Sequence, residues 1–237
     1  MPATTLHTTV LDDLGTRITA GEIRPGDVIR LDEVQERYNV SRTVAREAMR
    51  MLESYDLAVS RRRVGIVVLP PREWAVLAPT VIRWRLRGPQ RVQVLGELTE
   101  LRSAIEPTAA AAASRRAQPE QAGRLVELAA TLRSEASNGN SDTFLQADIE
   151  FHTLILAASG NAALRALTIP VQEVLMGRTR LGLMPRHPKP RALAGHEGVA
   201  RAIAAGDPIS ARAHMDDLVN EVREALLEDG LDQAHLP

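Results

Sequence analysis

The sequence contains no cysteine, and Lys189 is its only lysine. Without thiols the chain forms no disulfide, holds no thiolate-bound metal and has no cysteine nucleophile. Aromatic residues make up only 3% of the chain, which argues against a stacking platform for single-stranded nucleic acid. No apolar run approaches the ~20 residues of a membrane span, and residues 1–10 lack the apolar core of a secretory signal. These absences predict a cytoplasmic protein with no membrane partner.

Positive charge is concentrated in one segment of an otherwise balanced chain. The 237 residues are 44% hydrophobic and 25% charged, which suits one or two domains with a substantial core. The formal net charge is −1, yet seven arginines lie between Arg37 and Arg63 against three acidic residues. The sequence therefore predicts a local basic surface.

Residues 1–70 are predicted to form three helices and a hairpin. Val10, Leu14 and Ile18 recur at a spacing of four, which indicates a first amphipathic helix. A short second helix is predicted over 31–38, and a third runs from its capping residue Ser41 to Ser54. Two strands are predicted on either side of a basic loop, over 57–60 and 65–69, and Pro70-Pro71 ends this unit.

The predicted third helix separates an apolar face from a basic one. Its apolar residues fall on one side of a helical wheel: Ala45, Ala48, Met49 and Leu52. Arg42, Arg46 and Arg50 form a separate stripe, and Thr43 lies beside it. A short helix and a tight turn before such a helix indicate a helix-turn-helix, whose second helix enters the major groove. The alternative is a solvated arginine face on an ordinary helix.

The rest of the chain is predicted to be all-helical. Helical spacing separated by Gly, Pro and Asn indicates six or seven helices, near 73–87, 91–114, 119–137, 142–159, 161–183, 191–205 and 207–228. The predicted fold class is mainly α, with an N-terminal winged helix-turn-helix carrying a small β-hairpin and a C-terminal all-α bundle. The predicted domains are a DNA-binding domain over 1–70, a helical linker over 71–90, a helical domain over 91–229 and a tail over 230–237.

Residues 8–69 resemble the winged helix-turn-helix of the GntR family of bacterial transcription regulators. The strings that carry the likeness are "PGD", "VSRTVAREAMRMLE" and "GIVV". The resemblance implies that Ser41, Arg42, Arg46 and Gly65 contact operator DNA. The full predicted DNA-binding set is Ser41, Arg42, Thr43, Arg46, Arg50, Arg61, Arg62, Arg63 and Gly65. The chain departs from the family at Val44, where proline is common, and at a wing tip with less glycine.

Histidines in the helical part are candidate metal ligands. His152, His196 and His214 fall in predicted helices, and Asp148 precedes His152 by one turn on the same face. Three imidazoles and a carboxylate suit a divalent transition metal with open positions for water or a ligand. The alternative is that they are ordinary core or surface histidines.

Residues 91–228 resemble the FadR-type ligand-binding domain, the FCD domain. The likeness rests on "LTELRSAIEPTAAAAAS", "FLQADIEFHTLILAASGNAAL", "HEGVARAIAAGDP" and "ARAHMDDL". It implies that Asp148, His152 and His196 bind a metal, with zinc expected and nickel or manganese as alternatives. The fourth ligand position matches either His214 or Leu218, and His214 is preferred. The resemblance also implies that residues 91–229 form an effector-binding and dimerisation domain and that Arg102 binds an effector carboxylate. The alternative for Arg102 is an ion pair with Glu106, four residues later. Arg178 and Arg180 are further candidates to face this pocket.

These features together predict a transcriptional regulator that binds DNA. We expect a repressor that binds a pseudo-palindromic duplex operator as a homodimer and responds to a small carboxylate. The string "WAVLAPTVIRWRL" is similar to a segment in regulators of sugar-acid catabolism, which implies a sugar-acid effector, although its tryptophans could simply pack the linker. The alternatives are a metal-dependent hydrolase that uses the Asp/His cluster and a DNA-organising protein without an effector.

Overall fold

The computed structural model describes residues 3–138, 141–180 and 189–233, and the side chains of 8–136, 142–180 and 189–221. The chain divides between Arg91 and Val92 into two compact units, called unit 1 and unit 2 below. Each unit has its own hydrophobic core.

Unit 1 contains four α-helices and a small sheet. The helices are α1 (Ala3–Thr19), α2 (Leu31–Tyr38), α3 (Arg42–Ser54) and α4 (Pro79–Arg87), and Pro71–Glu73 forms one turn of 3₁₀ helix. The strands are β1 (Val28–Ile29), β2 (Ala58–Arg61) and β3 (Gly65–Val68), which pair antiparallel in the order β1-β3-β2. β2 and β3 are the predicted hairpin. β1 was not predicted, because two residues are too few to show the alternation that marks a strand.

The core of unit 1 joins α1, the helix-turn-helix and α4. Val10, Leu14 and Ile18 are buried on one face of α1, as their spacing predicts. Trp84 of α4 is fully buried against Gly15, where an added Cβ would lie 2.5 Å from the indole ring. The indole Nε1 also donates a 2.8 Å hydrogen bond to Asp12 Oδ1. The helical part of the segment predicted as a linker therefore packs into the core of unit 1.

Unit 2 is helical throughout the residues that the structure describes. Its helices are α5 (Arg91–Arg116), α6 (Pro119–Asn138), α7 (Ser141–Ala158), α8 (Ala162–Ala166), α9 (Thr168–Arg180), α10 (Pro190–Ala204) and α11 (Pro208–Gln233). The single helix predicted near 161–183 is divided into α8 and α9, because Pro170 has no N–H to continue the ladder and its ring clashes with the carbonyl four residues earlier. α11 extends into the predicted tail, whose residues 234–237 lie outside the described part.

The observed fold class agrees with the predicted one. A winged helix-turn-helix stands in unit 1 and an all-α bundle in unit 2. Among the described residues, no helix combines the length and the apolar character needed to cross a bilayer.

Candidate functional site

Helix α3 presents its arginines to solvent and its apolar residues to the core. Ser41 caps the helix, since its Oγ accepts a 3.3 Å hydrogen bond from the Val44 amide. Three of the predicted inward residues, Ala45, Ala48 and Leu52, are fully buried. The N-terminal half of α3 is thereby held firmly with a basic surface outward.

The arginines on this surface differ in their partners. Arg42 and Arg46 are exposed, and neither pairs with a carboxylate among the described residues. Arg50 is exposed as well, but its NH1 lies 3.6 Å from a carboxylate oxygen of Glu47. The guanidinium groups of Arg42 and Arg46 are therefore free to bind phosphate or the edge of a guanine.

The wing carries three consecutive exposed arginines, Arg61, Arg62 and Arg63. Arg61 pairs with Gly65 across the hairpin, and Arg63 adopts a left-handed conformation with φ of 65°. Gly65 is half-buried, and a Cβ there would lie 2.5 Å from the Ile29 carbonyl oxygen. Gly65 thus permits the close approach of β1 and β3, in addition to the DNA contact that the resemblance implies.

In unit 2 the structure brings Asp148, His152 and His196 together. One ligand atom from each lies within 4.8 Å of the others, and all three residues are buried. Asp148 Oδ1 is 3.1 Å from His196 Nε2 and 3.5 Å from His152 Nε2. The i, i+4 spacing on α7 positions the first two, and α10 supplies His196.

Hydrogen bonds orient both imidazole rings toward Asp148. His196 Nδ1 donates to the Ala192 carbonyl oxygen at 2.8 Å, because a carbonyl can only accept. His152 Nδ1 lies 2.6 Å from Glu106 Oε2, a carboxylate that also accepts. When neutral, each ring therefore presents an unprotonated Nε2 to the Asp148 carboxylate. In this neutral form three acceptor atoms converge with no donor between them, which favours a cation at this point: either a metal ion or a proton on Nε2 that donates to Asp148.

Glu106 connects the histidine cluster to Arg102. Arg102 Nε donates to Glu106 Oε1 at 2.5 Å, and Arg102 NH2 lies 3.4 Å from Glu106 Oε2. Burial alone would raise the pKa of Glu106, but the charges of Arg102 and His152 outweigh it and lower the pKa to about 2. Burial alone would also raise the pKa of Asp148, but hydrogen bonds from His152 and His196 in their protonated forms hold it well below its usual value. Both carboxylates are therefore ionised at neutral pH.

Four polar side chains around this cluster each bury an atom that has no hydrogen-bond partner among the described residues. The atoms are Thr99 Oγ1, Arg102 NH1, Arg178 Nε and Glu221 Oε2. Each of these side chains is more than nine-tenths buried. Burial, with the charge of Arg102, lowers the pKa of Arg178 to about 10, although the charges of Asp148 and Glu221 act in the opposite direction. An unmade buried hydrogen bond costs about 1–3 kcal/mol, so together these atoms indicate a ligand site.

The structure contradicts the expected placement of His214. His214 is exposed and packs against Gly198, where an added Cβ would lie 2.7 Å from its ring. The buried position one turn later belongs to Leu218, which packs against Gly195 beside His196. A shift of four residues moves a side chain about 6 Å along a helix and 40° around it, which takes His214 away from the cluster. Among the described residues, the candidate metal-ligating group is therefore Asp148, His152 and His196.

The two arginines predicted on α9 lie in different environments. Arg178 is buried beside the cluster, whereas Arg180 is exposed. Two residues correspond to about 200° of rotation around a helix, so the two side chains point to opposite sides. The role of Arg180 in effector binding stays a prediction that its position does not support.

The sequence-based prediction missed Thr99 and Glu221, and it treated Glu106 only as a partner of Arg102. A signal for each was present, because both missed residues occupy apolar faces of their helices. Glu221 follows the buried residues Ala211, Met215 and Leu218 at helical spacing. A polar residue within a buried stripe is a candidate for function.

Comparisons with known proteins agree with both halves of this description. Residues 6–68 match the family described as bacterial regulatory proteins, gntR family, and residues 97–221 match the FCD domain. The galactonate operon transcriptional repressor of Escherichia coli (strain K12) is 28% identical over 195 residues, which cover 80% of this chain and 83% of the relative.

Two solved structures show the same fold. The Listeria monocytogenes regulator Lar has a TM-score of 0.59 at 12% identity and covers 94% of this chain and 96% of its own. E. coli McbR/YncC has a TM-score of 0.52 at 19% identity, with coverage of 94% and 98%. The matched family consists of DNA-binding transcriptional regulators and not of enzymes, so the hydrolase alternative is set aside. The exposed arginine face, the basic wing and the helical unit with its buried polar site belong to a transcriptional regulator of the GntR family that carries an FCD domain.

Proposed function

We propose that this regulator is a repressor whose affinity for operator DNA is controlled by a small carboxylate bound in unit 2 beside a divalent metal ion. The observation that carries the proposal is the pair of unpartnered buried guanidinium atoms, Arg102 NH1 and Arg178 Nε, next to the Asp/His/His cluster. One relative represses the galactonate operon, so sugar acids are the first effector class to test.

Asp148, His152 and His196 are the residues that would hold the metal ion. Their three convergent acceptor atoms fit a divalent transition metal, and Glu106 and the Ala192 carbonyl would keep the two rings in the required tautomer. Zinc is expected, with nickel or manganese as alternatives. When bound, the metal would supply a Lewis-acidic position for a ligand oxygen.

Arg102 and Arg178 would bind the ligand carboxylate. Arg102 uses Nε and NH2 on Glu106, which leaves NH1 as a donor without an acceptor. Arg178 Nε is likewise a buried donor without an acceptor. Both guanidinium groups carry a positive charge. A carboxylate accepts charge-assisted hydrogen bonds from guanidinium groups and neutralises their charge, so its binding removes the cost of their burial.

The α3 arginines and the wing of unit 1 would bind the operator. A homodimer would place two copies of α3 on the half-sites of a pseudo-palindromic duplex. The effector must bind one conformation of the protein more tightly than the other, because equal affinity shifts no equilibrium.

The metal is tested by elemental analysis of protein purified without added metal. We expect close to one ion per chain in the wild type and a loss in His152→Ala and His196→Ala. His214→Ala is the matched control and should retain the metal, because His214 is exposed and outside the cluster. A metal-free wild type, or loss in the control, would contradict the assignment.

The effector is tested by thermal shift and by operator binding. A ligand at 100 times its Kd stabilises the folded protein by about 2.7 kcal/mol. D-galactonate, L-lactate and citrate are the probes, and Arg102→Ala should abolish the shift while the exposed Arg191→Ala keeps it. A shift without any change in operator affinity would refute control by the effector, and no shift at all would favour a DNA-organising protein.

A further inference from the structure

Glu221 and Thr99 lie at the same site and have hydrogen-bonding needs that a simple carboxylate does not meet. Glu221 Oε2 is buried without a partner, and the residue is 8% exposed on α11, one turn after Leu218. Thr99 is fully buried on α5, one turn before Arg102. Thr99 therefore lies on the helix that carries Arg102 and Glu106, and Glu221 adds α11 to the helices around the unit 2 site.

Glu221 is electrostatically connected to the predicted carboxylate-binding arginines. Its charge acts on Arg178, and the charges of Arg102 and Asp148 act on the same guanidinium. Yet no hydrogen bond within the described residues satisfies Glu221 Oε2. The carboxylate is close enough to influence Arg178 and still has an oxygen left over for a ligand.

The unpartnered atoms fall into two chemically opposite kinds. Arg102 NH1 and Arg178 Nε are donors and require an acceptor, whereas Glu221 Oε2 is an acceptor and requires a donor. A plain carboxylate offers only acceptors and would leave Glu221 unsatisfied beside a second negative charge. A ligand that carries both a carboxylate and a hydroxyl group supplies both kinds.

We propose that Glu221 is the specificity-determining residue of the effector site and that its Oε2 accepts a hydrogen bond from a hydroxyl group of the ligand. Thr99 Oγ1, one turn before Arg102 on α5, provides a further polar contact for the ligand. The site then selects hydroxylated carboxylates over acids of equal length that lack the hydroxyl. This inference rests on the proposed function, because it requires that the site bind a carboxylate.

The selection should be strong, because an analogue that lacks the hydroxyl leaves a buried charged acceptor unpaired. We expect the wild type to prefer the hydroxylated acid by about 10-fold to 100-fold in Kd.

The test is calorimetric titration of the full-length, metal-loaded protein with matched pairs of acids. The pairs are D-galactonate and hexanoate, L-lactate and propionate, and citrate and tricarballylate. The key variant is Glu221→Met, which keeps the size and removes the acceptor, and Glu221→Gln is a second variant that keeps the shape. Asp217→Asn is the matched control, because Asp217 is an exposed carboxylate on the same helix.

In Glu221→Met the hydroxylated acid should lose affinity while its plain partner binds as well as before or better, so the preference falls toward 1. Simple structural damage would weaken both members of a pair, and circular dichroism and metal content verify the fold. Equal affinity for both acids in the wild type, or a preference that persists in Glu221→Met, overturns the inference.

A separate variant distinguishes this inference from the proposed function. One possible outcome is that the wild type binds both acids of a pair equally well and that Arg102→Ala binds neither. In that case the carboxylate site is supported and the proposed role of Glu221 is wrong. If Arg102→Ala binds both acids normally, the carboxylate site itself is wrong. If no acid binds to the wild type, both the proposed function and the inference about Glu221 are overturned.

Discussion

Arginines of unit 1 that look alike in sequence occupy different environments. Arg46 projects from the first half of α3 without a carboxylate partner, whereas Arg50 is paired with Glu47. Arg62 lies on an exposed hairpin loop, where it can follow the phosphate backbone but has no rigid support for base reading. Position in the fold therefore predicts which arginines read bases and which bind the DNA backbone.

Arg46→Ala should weaken operator binding by about 1–3 kcal/mol and relax specificity at one position of each half-site. Arg62→Ala should weaken operator and random DNA alike and reduce the salt slope by about 1. Fluorescence anisotropy with both duplexes over a range of salt concentrations measures the two effects, and Arg50→Ala is a control with a smaller loss. Equal losses on both duplexes for Arg46→Ala would rule out base reading.

Arg63 combines a useful charge with an unfavourable backbone conformation. Its φ of 65° is one that residues with a Cβ adopt at a cost of about 1–2 kcal/mol. Arg63→Gly should therefore raise the free energy of unfolding by up to about 1 kcal/mol while it lowers DNA affinity. Urea denaturation and anisotropy check the two directions. Arg61→Gly, at a position with ordinary φ, should lower stability instead.

Helix α11 begins with a capping arrangement that makes its stability depend on pH. Asp207 Oδ1 accepts hydrogen bonds from the Ile209 and Ser210 amides at 3.0 and 3.1 Å, and Oδ2 accepts one from Ser210 Oγ. These hydrogen bonds lower the pKa of Asp207, chiefly through Ser210. A lowered folded-state pKa means that the stabilisation is present at neutral pH and is lost as the pH falls through ~4 and below.

Asp207→Asn should have a lower Tm than the wild type at pH 7, because an amide caps the helix without a charge to complement its dipole. The difference should narrow between pH 5 and pH 3 as Asp207 becomes protonated in the wild type. Circular dichroism melting curves follow the difference, and the exposed Asp216→Asn is the control. A difference in Tm that stays constant over this range would exclude the cap as its source.

Most elements were predictable because their signals are local. Ser41 as a cap and the apolar stripe of Val10, Leu14 and Ile18 define helices without any tertiary information.

The site was predictable only in part. The i, i+4 spacing of Asp148 and His152 is local, but whether His214 or Leu218 approaches His196 depends on how α10 and α11 pack against each other. That register involves Gly195 and Gly198, whose contacts cannot be read from spacing.

At the scale of the whole chain, the compact unit that binds DNA is larger than the winged helix-turn-helix. Its core includes Val81 and Trp84 of α4, both fully buried. A boundary at residue 70 would remove these side chains and expose the surface around Gly15. The stable fragment should therefore extend to the division after Arg91.

A fragment of residues 1–91 should fold on its own and be more stable than a fragment of residues 1–70 by at least about 3 kcal/mol, the usual cost of deleting a buried tryptophan side chain. Urea denaturation followed by circular dichroism compares the two. Trp84→Ala in the longer fragment should reproduce most of the loss. If both fragments unfold at the same urea concentration, α4 does not stabilise this core.

The attachment of α4 to the core of unit 1 also restricts how a signal can travel along the chain. Only residues 88, 89 and 90 separate Arg87, the end of α4, from Arg91, the start of α5, and α5 carries Arg102 eleven residues later. If effector binding displaces α5, the three residues before it leave little length of chain to absorb the movement before α4. Insertion of a flexible Gly-Ser segment after Gly88 should leave the affinities for effector and for isolated operator nearly unchanged and abolish the influence of one on the other. With this insertion, the protein would still bind effector and operator, but binding of one would no longer change the affinity for the other.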